Sequence, residues 1–326
     1  MAVVSAIIAA EDPKSASEIL SALVRSPPPF AAASLASSQV KVDVNDLIQQ
    51  VPQVIKTVGE KTPLSHNMTN LVVQNIAANV ALAVGGSPIM ANYGEEAANL
   101  ANLGGSLVIN MGTVTPDGLK NYAQALREYN LAGGPIVLDP VGAGATAVRR
   151  AAVRSLLAAG YFDVIKGNEG EIKTVFGTLV QQKGVDSGAS TSTPIEKATL
   201  VRDLAARERN VVVMTGVIDY LSDGERTYAV ENGHELLGKI TGSGCVLGTT
   251  ISIMLAVEKG DKLLAALAGL LHYEIAAEIA AVREDVKGPG TFVPALIDEL
   301  YNLQKATSVG DVKWLENAKV KAIHLG

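Results

Sequence analysis

Cysteine and histidine are scarce in this chain of 326 residues, and their scarcity excludes two kinds of site. One cysteine, Cys245, cannot form a disulfide framework or a cysteine-rich metal site, and it fits a reducing compartment. The four histidines lie far apart, at positions 66, 234, 272 and 324, without the HxxxH or HExxH spacing of zinc sites. A metal site built from histidine or cysteine is therefore not expected.

Positive charge and long apolar runs are also lacking. The chain has 27 lysines and arginines against 33 aspartates and glutamates and no basic run, which argues against nucleic acid or an anionic membrane as its main partner. No apolar stretch reaches the roughly 18 to 20 residues that cross a bilayer, and the longest, 246–257, contains hydroxyl side chains. The apolar residues 1–10 lack the basic start of a signal peptide. A soluble, cytoplasmic protein is predicted.

The first change in composition lies at residues 26–39, where three prolines are followed by alanine and serine. Such a segment predicts an extended linker, which we place at 26–44, ahead of a main domain at 45–326. Residues 2–8 resemble a β-strand and are followed by a short amphipathic helix. Because one strand and one helix cannot bury their own apolar faces, residues 1–25 are interpreted as the last βα unit of another domain. An ordinary N-terminal extension that docks on the main domain is the alternative.

Beyond the linker, apolar β-branched runs alternate with helical patterns. The runs predict strands at 106–110, 135–139, 162–166 and 210–215. The helical patterns lie at 71–84, 95–103, 116–130, 147–159, 194–207, 244–286 and 291–305. Continuous apolar strands separated by helices indicate a parallel sheet that is buried on both faces. The predicted fold class is α/β, a three-layer α/β/α sandwich with a mainly parallel central sheet.

Ligands of such folds bind at the carboxyl ends of the strands, so the polar segments there are candidate sites. The segment TGSGC precedes a long apolar helix, whose N-terminus offers unpaired N–H donors and a positive dipole end. Thr241, Gly242, Ser243 and Gly244 are therefore a candidate anion hole for a phosphoryl group in transfer. Cys245 on the first helical turn is expected to have a lowered pKa and to accept a proton. A glycine-rich helix start with a buried, inert cysteine is the alternative.

Three charged residues near strand ends each have two interpretations. Asp139, at the end of a strand, is placed near a magnesium–phosphate cluster. Glu171, in the segment NEGE after the next strand, either holds magnesium through water or complements a helix dipole. Lys166 either meets a phosphate or is a solvated surface lysine.

Four other segments have competing or ordinary explanations. Residues 142–147 have the glycine spacing of a dinucleotide-binding fingerprint, with Asp163 near the expected acidic position, but the fingerprint should open the first βα turn. Residues 233–239 nearly match a Walker A loop, which we reject because isoleucine follows where serine or threonine is needed. The run HNMTN is predicted as a loop entering a helix, with Thr69 or Asn70 as N-cap. Met90 is by default a core methionine.

The polar motifs have a recognisable order: HNMTN (66–70), GGSPIMA (85–91), NMGT (110–113), LDPVGAGAT (138–146), KGNEGE (166–171), MTG (214–216) and TGSGC (241–245). Over residues 45–310 the sequence resembles hydroxyethylthiazole kinases, which belong to the ribokinase-like clan. The resemblance implies a ribokinase-like fold and ATP-dependent phosphorylation of the hydroxyl of 4-methyl-5-(2-hydroxyethyl)thiazole in thiamine biosynthesis. It implies ATP as co-substrate and Mg²⁺ as cofactor.

The resemblance also implies roles for single residues. Cys245 matches the position of the aspartate base in most ribokinase-like enzymes, and Gly242, Ser243 and Gly244 match the anion hole. The implied binding residues are, for the thiazole, Asn70, Met90 and Gly242; for the nucleotide, Lys166, Thr215 and Thr241; and for magnesium, Asp139 and Glu171. Bacterial relatives usually have arginine in place of Lys166, so the charge is kept and the bidentate fork is lost.

The resemblance extends to assembly and to the N-terminal segment. The family is trimeric with sites between subunits, so a homotrimer is implied. Residues 2–13 resemble the end of thiamine-phosphate synthase, a (β/α)₈ barrel that fungal bifunctional enzymes join to this kinase, and Ser5 would match its phosphate loop. The chain is interpreted as such a protein lacking most of the barrel, without synthase activity. The alternatives are an inactive nucleotide-binding regulatory fragment and a ribokinase-like kinase for another small alcohol.

Overall fold

The computed structural model describes residues 4–25, 43–178 and 191–325. The predicted linker at 26–44 lies outside the described residues except for its last two positions. Before it are two helices, α1 (Val4–Ile8) and α2 (Pro13–Arg25). The strand predicted at 2–8 is therefore wrong, whereas the amphipathic helix after it is confirmed. In the described part of the chain no strand pairs with this segment, so helical hydrogen bonds satisfy its backbone locally.

The main domain alternates strands and helices, with short 3₁₀ turns between some of them. Its helices are α3 (Val44–Lys61), α4 (Gln74–Ala83), α5 (Ala97–Asn102), α6 (Pro116–Ala132), α7 (Ala147–Ala159), α8 (Glu169–Phe176), α9 (Pro194–Glu208), α10 (Ser243–Val257), α11 (Lys262–Ala281) and α12 (Pro289–Ser308). Its strands are β1 (Leu64–Met68), β2 (Ser87–Ile89), β3 (Ser106–Asn110), β4 (Ile136–Asp139), β5 (Val164–Asn168), β6 (Val211–Thr215), β7 (Asp219–Ser222), β8 (Thr227–Val230) and β9 (Val320–Ala322).

Within the described residues the strands form one sheet of nine, in the order β2-β1-β3-β4-β5-β6-β7-β8-β9. The pairs from β2 through to β6 are parallel. The strands β7, β8 and β9 are added antiparallel at one end. The carboxyl ends of β3 to β6 therefore lie side by side at one edge of the sheet, which is where the candidate site residues follow the strands.

The core lies in two layers, one on each face of the sheet. Val108 of β3 packs with α3, α4, α10, α11 and α12, whereas its neighbours Leu107 and Ile109 pack with α5 to α9 on the other face. This alternation follows from the two-residue period of a strand, and both faces are apolar because both are covered by helices. The predicted three-layer α/β/α sandwich with a mainly parallel sheet is confirmed.

Helix α11 passes the length and composition test for a membrane span, contrary to the expectation that no segment would. Its 18-residue window has a mean hydropathy of 1.5, and 89% of that window is buried inside the protein. The helix contacts α10, α12 and α3. It is hydrophobic nearly all round because it is covered on all sides by other elements.

The first three residues of the segment HNMTN are in a strand, and only its last two lie in the predicted loop. His66, Asn67 and Met68 belong to β1, and the first helix after them begins only at Gln74. The N-cap of that helix is Val73, so the predicted N-cap at Thr69 or Asn70 is wrong. Asn70 instead accepts a hydrogen bond from Val72 N at 3.1 Å, which leaves its amide nitrogen to face other residues.

Candidate functional site

Two adjoining clefts open at the carboxyl edge of the sheet, as the fold predicts. The first, which we call the front cleft, has a volume of about 560 Å³. The second, the side cleft, has a volume of about 770 Å³. Six residues line both clefts: Asn168, Thr215, Leu237, Gly238, Ser243 and Gly244. The front cleft brings together nearly all predicted site residues: Asn70, Asp139, Lys166, Glu171, Thr215, Thr241, Gly242, Ser243, Gly244 and Cys245.

The turn that opens α10 presents backbone amides to the front cleft. Gly242 is the N-cap, with a φ of +83°, and the first helical hydrogen bond runs from Val246 N to Gly242 O at 3.0 Å. The amides of Ser243, Gly244 and Cys245 therefore precede the helical hydrogen-bond ladder. A Cβ at Gly242 would overlap the Val73 side chain, so both the conformation and the close approach require glycine there.

A chain of buried side chains runs behind this turn from Asp139 to Cys245. Asp139 Oδ2 accepts a hydrogen bond from Asn110 Nδ2 at 2.7 Å. Asn110 Oδ1 in turn accepts from Asn70 Nδ2 at 2.9 Å, and the same Asn70 nitrogen lies 3.5 Å from Cys245 Sγ. Asn110 was not among the predicted site residues. Its signal was its place at the end of β3 in the motif NMGT.

Lys166 is a buried cation, so its interpretation as a solvated surface lysine is wrong. Its side chain is 4% exposed, and Nζ lies 3.3 Å from Asp139 Oδ1. Burial alone would lower the pKa of Lys166, but its attraction to Asp139, with smaller effects of Cys245 and Glu171, outweighs burial and raises it. A Cβ at Gly244 would lie 3.1 Å from Nζ, which places this positive charge directly beneath the α10 turn.

Glu171 completes the start of α8. It forms a capping box with Asn168, whose backbone nitrogen lies 2.8 Å from Glu171 Oε2. The other oxygen, Oε1, accepts from Gly142 N at 2.7 Å. Burial and the negative charge of Asp139 raise the pKa of Glu171 to about 7, although Lys166 and these two amides oppose the rise. The helix-start interpretation of Glu171 is thus observed, and its carboxylate still lines the front cleft.

The two carboxylates fit a magnesium ion that is held through water. Asp139 and Glu171 line the same cleft, and the charge of Asp139 raises the pKa of Glu171. The single positive charge of Lys166 therefore does not offset both carboxylates. Each of their four oxygens already accepts a hydrogen bond from the chain. In the described residues no group of three or more histidine, cysteine or acidic side chains is placed to hold a metal. Mg²⁺ commonly keeps several waters, so this arrangement suits it.

The predicted lowering of the Cys245 pKa is wrong. Burial, followed by the negative charge of Asp139, raises the pKa of the thiol to about 11, and the opposing effect of Lys166 is smaller. The positive end of a helix lowers a thiol pKa only where burial and carboxylates do not outweigh it. The Cys245 thiol also donates a hydrogen bond to Asp139, so it is a protonated group held between Asn70 and that carboxylate.

Arg149 holds the loops that frame the front cleft, and sequence reasoning missed it. Its Nη1 donates to Met111 O and Val141 O, both at 2.8 Å, and Nη2 donates to Gly112 O at 2.7 Å. One guanidinium thus ties the turn after β3 to the turn after β4. Nothing in the local sequence distinguishes this arginine on α7 from a surface arginine.

The dinucleotide interpretation of residues 142–147 is not supported, because β4 is the fourth strand along the chain and does not open the first βα unit. Asp163, its candidate acidic residue, accepts a hydrogen bond from Ile136 N at 2.8 Å and pairs with Lys262 at 2.8 Å. These contacts anchor the start of β4 and explain the carboxylate without a ligand.

Met90 is the one predicted site residue outside both clefts. It is half-buried and packs against the core layer that contains α3 and α10. The core-methionine interpretation describes this position within a single chain, and its thiazole-binding role stays a prediction.

The comparisons with known proteins agree on one family. The model of the "HK: Hydroxyethylthiazole kinase family" matches residues 55–306. A hydroxyethylthiazole kinase of Roseiflexus castenholzii is 44% identical over 255 residues, which cover 78% of this chain and 92% of that protein. A "probable thiamine biosynthetic bifunctional enzyme" of Schizosaccharomyces pombe is 40% identical over 98% of this chain. The chain spans 62% of the length of that bifunctional relative.

Solved structures agree with the sequence comparisons. The hydroxyethylthiazole kinase protein of Pyrococcus horikoshii has a TM-score of 0.72 and 37% identity, and the match covers 85% of this chain and all of that one. A ribokinase-like superfamily protein of Enterococcus faecalis has a TM-score of 0.56 at 10% identity and covers 79% of this chain. At that identity the second likeness shows only the ribokinase-like fold.

Proposed function

The chain belongs to the hydroxyethylthiazole kinase family, and we propose that its front cleft transfers the γ-phosphoryl group of ATP to the hydroxyl of 4-methyl-5-(2-hydroxyethyl)thiazole. The observation that carries this proposal is the α10 turn, whose amides face a cleft that also contains the buried cation of Lys166. Backbone amides and a fixed positive charge that face the same point stabilise the negative charge that develops on a phosphoryl group during transfer.

In this proposal the nucleotide lies along the shared rim of the two clefts. Thr215 and Thr241 contact it there, and the amides of Ser243 and Gly244 receive the oxygens of the transferring group. Lys166 neutralises charge from beneath the turn. Because these groups are fixed by the fold before any ligand binds, little reorganisation is needed during transfer.

The acceptor hydroxyl lies at Cys245 in the proposal, with the thiazole near Asn70 and Met90. A thiol with a pKa of about 11 is a weak base, so Cys245 acts as a relay. As the hydroxyl oxygen bonds to the γ-phosphorus, the bond from that phosphorus to the β–γ bridging oxygen breaks and ADP leaves. The hydroxyl proton moves to Cys245 Sγ and the thiol proton moves to Asp139, to which it already donates. The loose transition state of phosphoryl transfer makes this proton movement a small part of catalysis.

Asp139 and Glu171 would hold Mg²⁺ through water in the proposed complex. When bound, the ion supplies positive charge that neutralises the phosphate oxygens. The hydrogen bonds of Glu171 to Gly142 and Asn168 keep its carboxylate in place without the metal.

We also propose a homotrimer with active sites between subunits, in the cytoplasm. Leu71 and Val72 are 73% and 66% exposed, directly beside Asn70, and Val72 lines the front cleft. Exposed apolar side chains at the rim of a polar cleft are typical of a surface that another subunit covers.

The N-terminal segment is proposed to belong to a second unit, as in a bifunctional thiamine enzyme. The Schizosaccharomyces pombe alignment includes this segment, whereas the family model begins at residue 55. No synthase activity is proposed for residues 1–25 by themselves, because two short helices do not form a barrel.

The decisive experiment is incubation of the protein with hydroxyethylthiazole and ATP, followed by mass detection of the phosphorylated thiazole. The same assay with hydroxymethylpyrimidine and with a sugar, read by ADP release, tests another small alcohol as substrate. Phosphorylated thiazole supports the proposal. Product only from another alcohol, or nucleotide binding without any product, would replace it with one of the two alternatives.

A further inference from the structure

Two buried carboxyl groups form the floor of the side cleft, and the proposed mechanism does not use them. Asp219, at the start of β7, is 3% exposed, and Glu274, in the middle of α11, is 5% exposed. Both line the side cleft, and their side chains are hydrogen-bonded to each other. The pair lies outside the cluster that contains Asp139 and Glu171.

A hydrogen bond between two carboxyl groups needs a proton, since a carboxylate has only acceptor oxygens. Glu274 Oε2 is buried and receives no hydrogen bond from any described residue, so no other group supplies a donor to it. Burial raises the pKa of Asp219 too, but Gly216 N donates to its Oδ1 at 2.7 Å and Lys166 on β5 attracts it, so Asp219 is the better placed of the two to be the anion. The proton therefore belongs on Glu274.

The other ionisable groups that face the pair favour the same assignment. Glu278, one turn further along α11, adds negative charge that raises the pKa of Glu274, after burial and the charge of Asp219. Tyr273 beside it is also buried, and burial raises the pKa of its phenol, so it stays neutral. Burial, Asp219 and Glu278 thus all favour the protonated form of Glu274.

The hydrogen bond from Gly216 connects this pair to the nucleotide side of the site. Gly216 follows Thr215 and opens the turn between β6 and β7, and Thr215 lines both clefts. Val217 at the tip of the turn is 98% exposed, so its side chain does not anchor the turn by packing. The contact of Asp219 with Gly216 fixes the turn from beneath.

We propose that Asp219 and Glu274 are a positioning pair for the nucleotide, in which one shared proton holds the turn 215–218 in its binding conformation. The inference rests on the proposed role of Thr215 in nucleotide binding. Neither carboxyl is a catalytic residue, since both act through Gly216 and the turn.

Loss of the shared proton at alkaline pH leaves two like charges in contact inside the protein. Their repulsion moves Asp219 away from Glu274 and releases Gly216. Affinity for ATP then falls, whereas the Michaelis constant for the thiazole, which binds at the other end of the front cleft, changes little. A general loss of folding would instead affect both substrates.

The test is the dissociation constant of ATP, measured by calorimetry from about pH 6.5 to pH 9.5 for wild type and three variants. Glu274→Gln keeps a hydrogen-bond donor to Asp219 without a titrating proton. Glu274→Ala removes the donor, and Glu60→Gln changes an exposed carboxyl on α3 as a matched control. Thermal melting of each variant, and product formation with the thiazole, are recorded separately.

For wild type and the Glu60→Gln control we expect ATP affinity to fall about tenfold toward high pH. For Glu274→Gln we expect an affinity that does not change with pH. For Glu274→Ala we expect weak binding at every pH. A Glu274→Gln profile that falls like wild type overturns the proposal, and so does a folded Glu274→Ala protein that binds ATP within about twofold of wild type. Wild type that binds ATP without product would contradict the proposed kinase function and leave this binding test intact.

Discussion

At the scale of single residues, the glycines of the α10 turn are constrained by different neighbours, which predicts a ranking of variants. Alanine at Gly242 needs a φ near +83° and overlaps Val73, a strain of about 1–3 kcal/mol that displaces the turn. Alanine at Gly244 has an allowed backbone conformation and meets only Nζ of Lys166, at 3.1 Å. We expect kcat/KM to fall about 10²–10³-fold for Gly242→Ala, less for Gly244→Ala, and at most about tenfold for Cys245→Ser.

Steady-state kinetics of the three variants checks this ranking. Gly238→Ala is the matched control, because Gly238 also lines the front cleft but a Cβ there meets nothing within 4 Å. The control should stay close to wild type. A Cys245→Ser variant that loses more activity than both glycine variants of the turn would show that the thiol matters more than the anion hole.

The ion pair of Lys166 with Asp139 predicts a stability effect. Both side chains are almost fully buried, so Lys166→Met leaves Asp139 as an unpaired buried charge. Breaking such a pair costs about 3–5 kcal/mol of unfolding free energy, which urea denaturation measures. Lys166→Arg keeps the charge and should lose much less, and Lys120→Met, in the exposed pair with Asp117, should lose little. Equal losses for Lys166→Met and Lys120→Met would contradict the prediction.

At the scale of elements, the packing of α11 against α12 contains a titratable group. His272 of α11 is fully buried, with Nε2 hydrogen-bonded to Leu300 O at 2.9 Å. Burial lowers the pKa of His272 to about 4 from 6.5. Between these two values the unfolded chain binds a proton that the folded chain does not, so stability falls as the pH falls through this range. The full loss is roughly 3 kcal/mol.

The variant His272→Gln keeps a donor for Leu300 and cannot titrate. We expect its unfolding free energy to depend less on pH than that of wild type between about pH 6.5 and pH 4. Denaturation by urea at both ends of the range gives the two slopes. Comparing variant with wild type cancels the opposite effect of Glu171, whose raised pKa favours the folded state as the pH falls. Equal slopes would show that groups other than His272 cause the loss of stability at low pH.

The strands also show which elements the sequence predicts. Strands β3 to β6 were predicted because their residues are apolar on both faces of a covered sheet, and β3 has the predicted bounds. Strand β1 was missed because Ser65, His66 and Asn67 are polar. Two of these buried side chains have distant partners: Ser65 is hydrogen-bonded to Ser252, and Asn67 accepts a hydrogen bond from Thr249 of α10. Such pairings do not appear in any local pattern.

The parts of the site that local backbone forms could be predicted from the sequence. The parts that depend on side chains distant in the sequence were predicted less well. The α10 turn follows from glycine spacing before an apolar helix, and the structure places it in the front cleft. The raised pKa of Cys245 depends on burial by other elements and on Asp139. The role of Arg149 depends on three carbonyl groups from two other loops. Sequence spacing alone contains neither.

At the scale of the whole molecule, two neighbouring exposed apolar residues beside the front cleft predict an effect of assembly on activity. Leu71 and Val72 follow β1 at the carboxyl edge of the sheet, and in the proposed trimer this surface is covered by a second copy. The double variant Leu71→Asp, Val72→Asp introduces charge into this surface, because a desolvated unpaired carboxylate is costly at an interface. We expect a smaller mass by light scattering and a Michaelis constant for the thiazole raised about tenfold or more.

Leu131 provides the matched control for this prediction. It is 77% exposed at the end of α6, which runs antiparallel to the strands and so ends at the opposite edge of the sheet. Leu131→Asp adds the same charge far from the front cleft and should keep both the trimer mass and the Michaelis constant. If wild type has the mass of one chain, or if the double variant stays trimeric with unchanged kinetics, then the cleft is complete within a single subunit. In that case Met90 does not contact the thiazole. It is half-buried and lies outside the front cleft of its own chain, so only a neighbouring subunit could place it against the substrate.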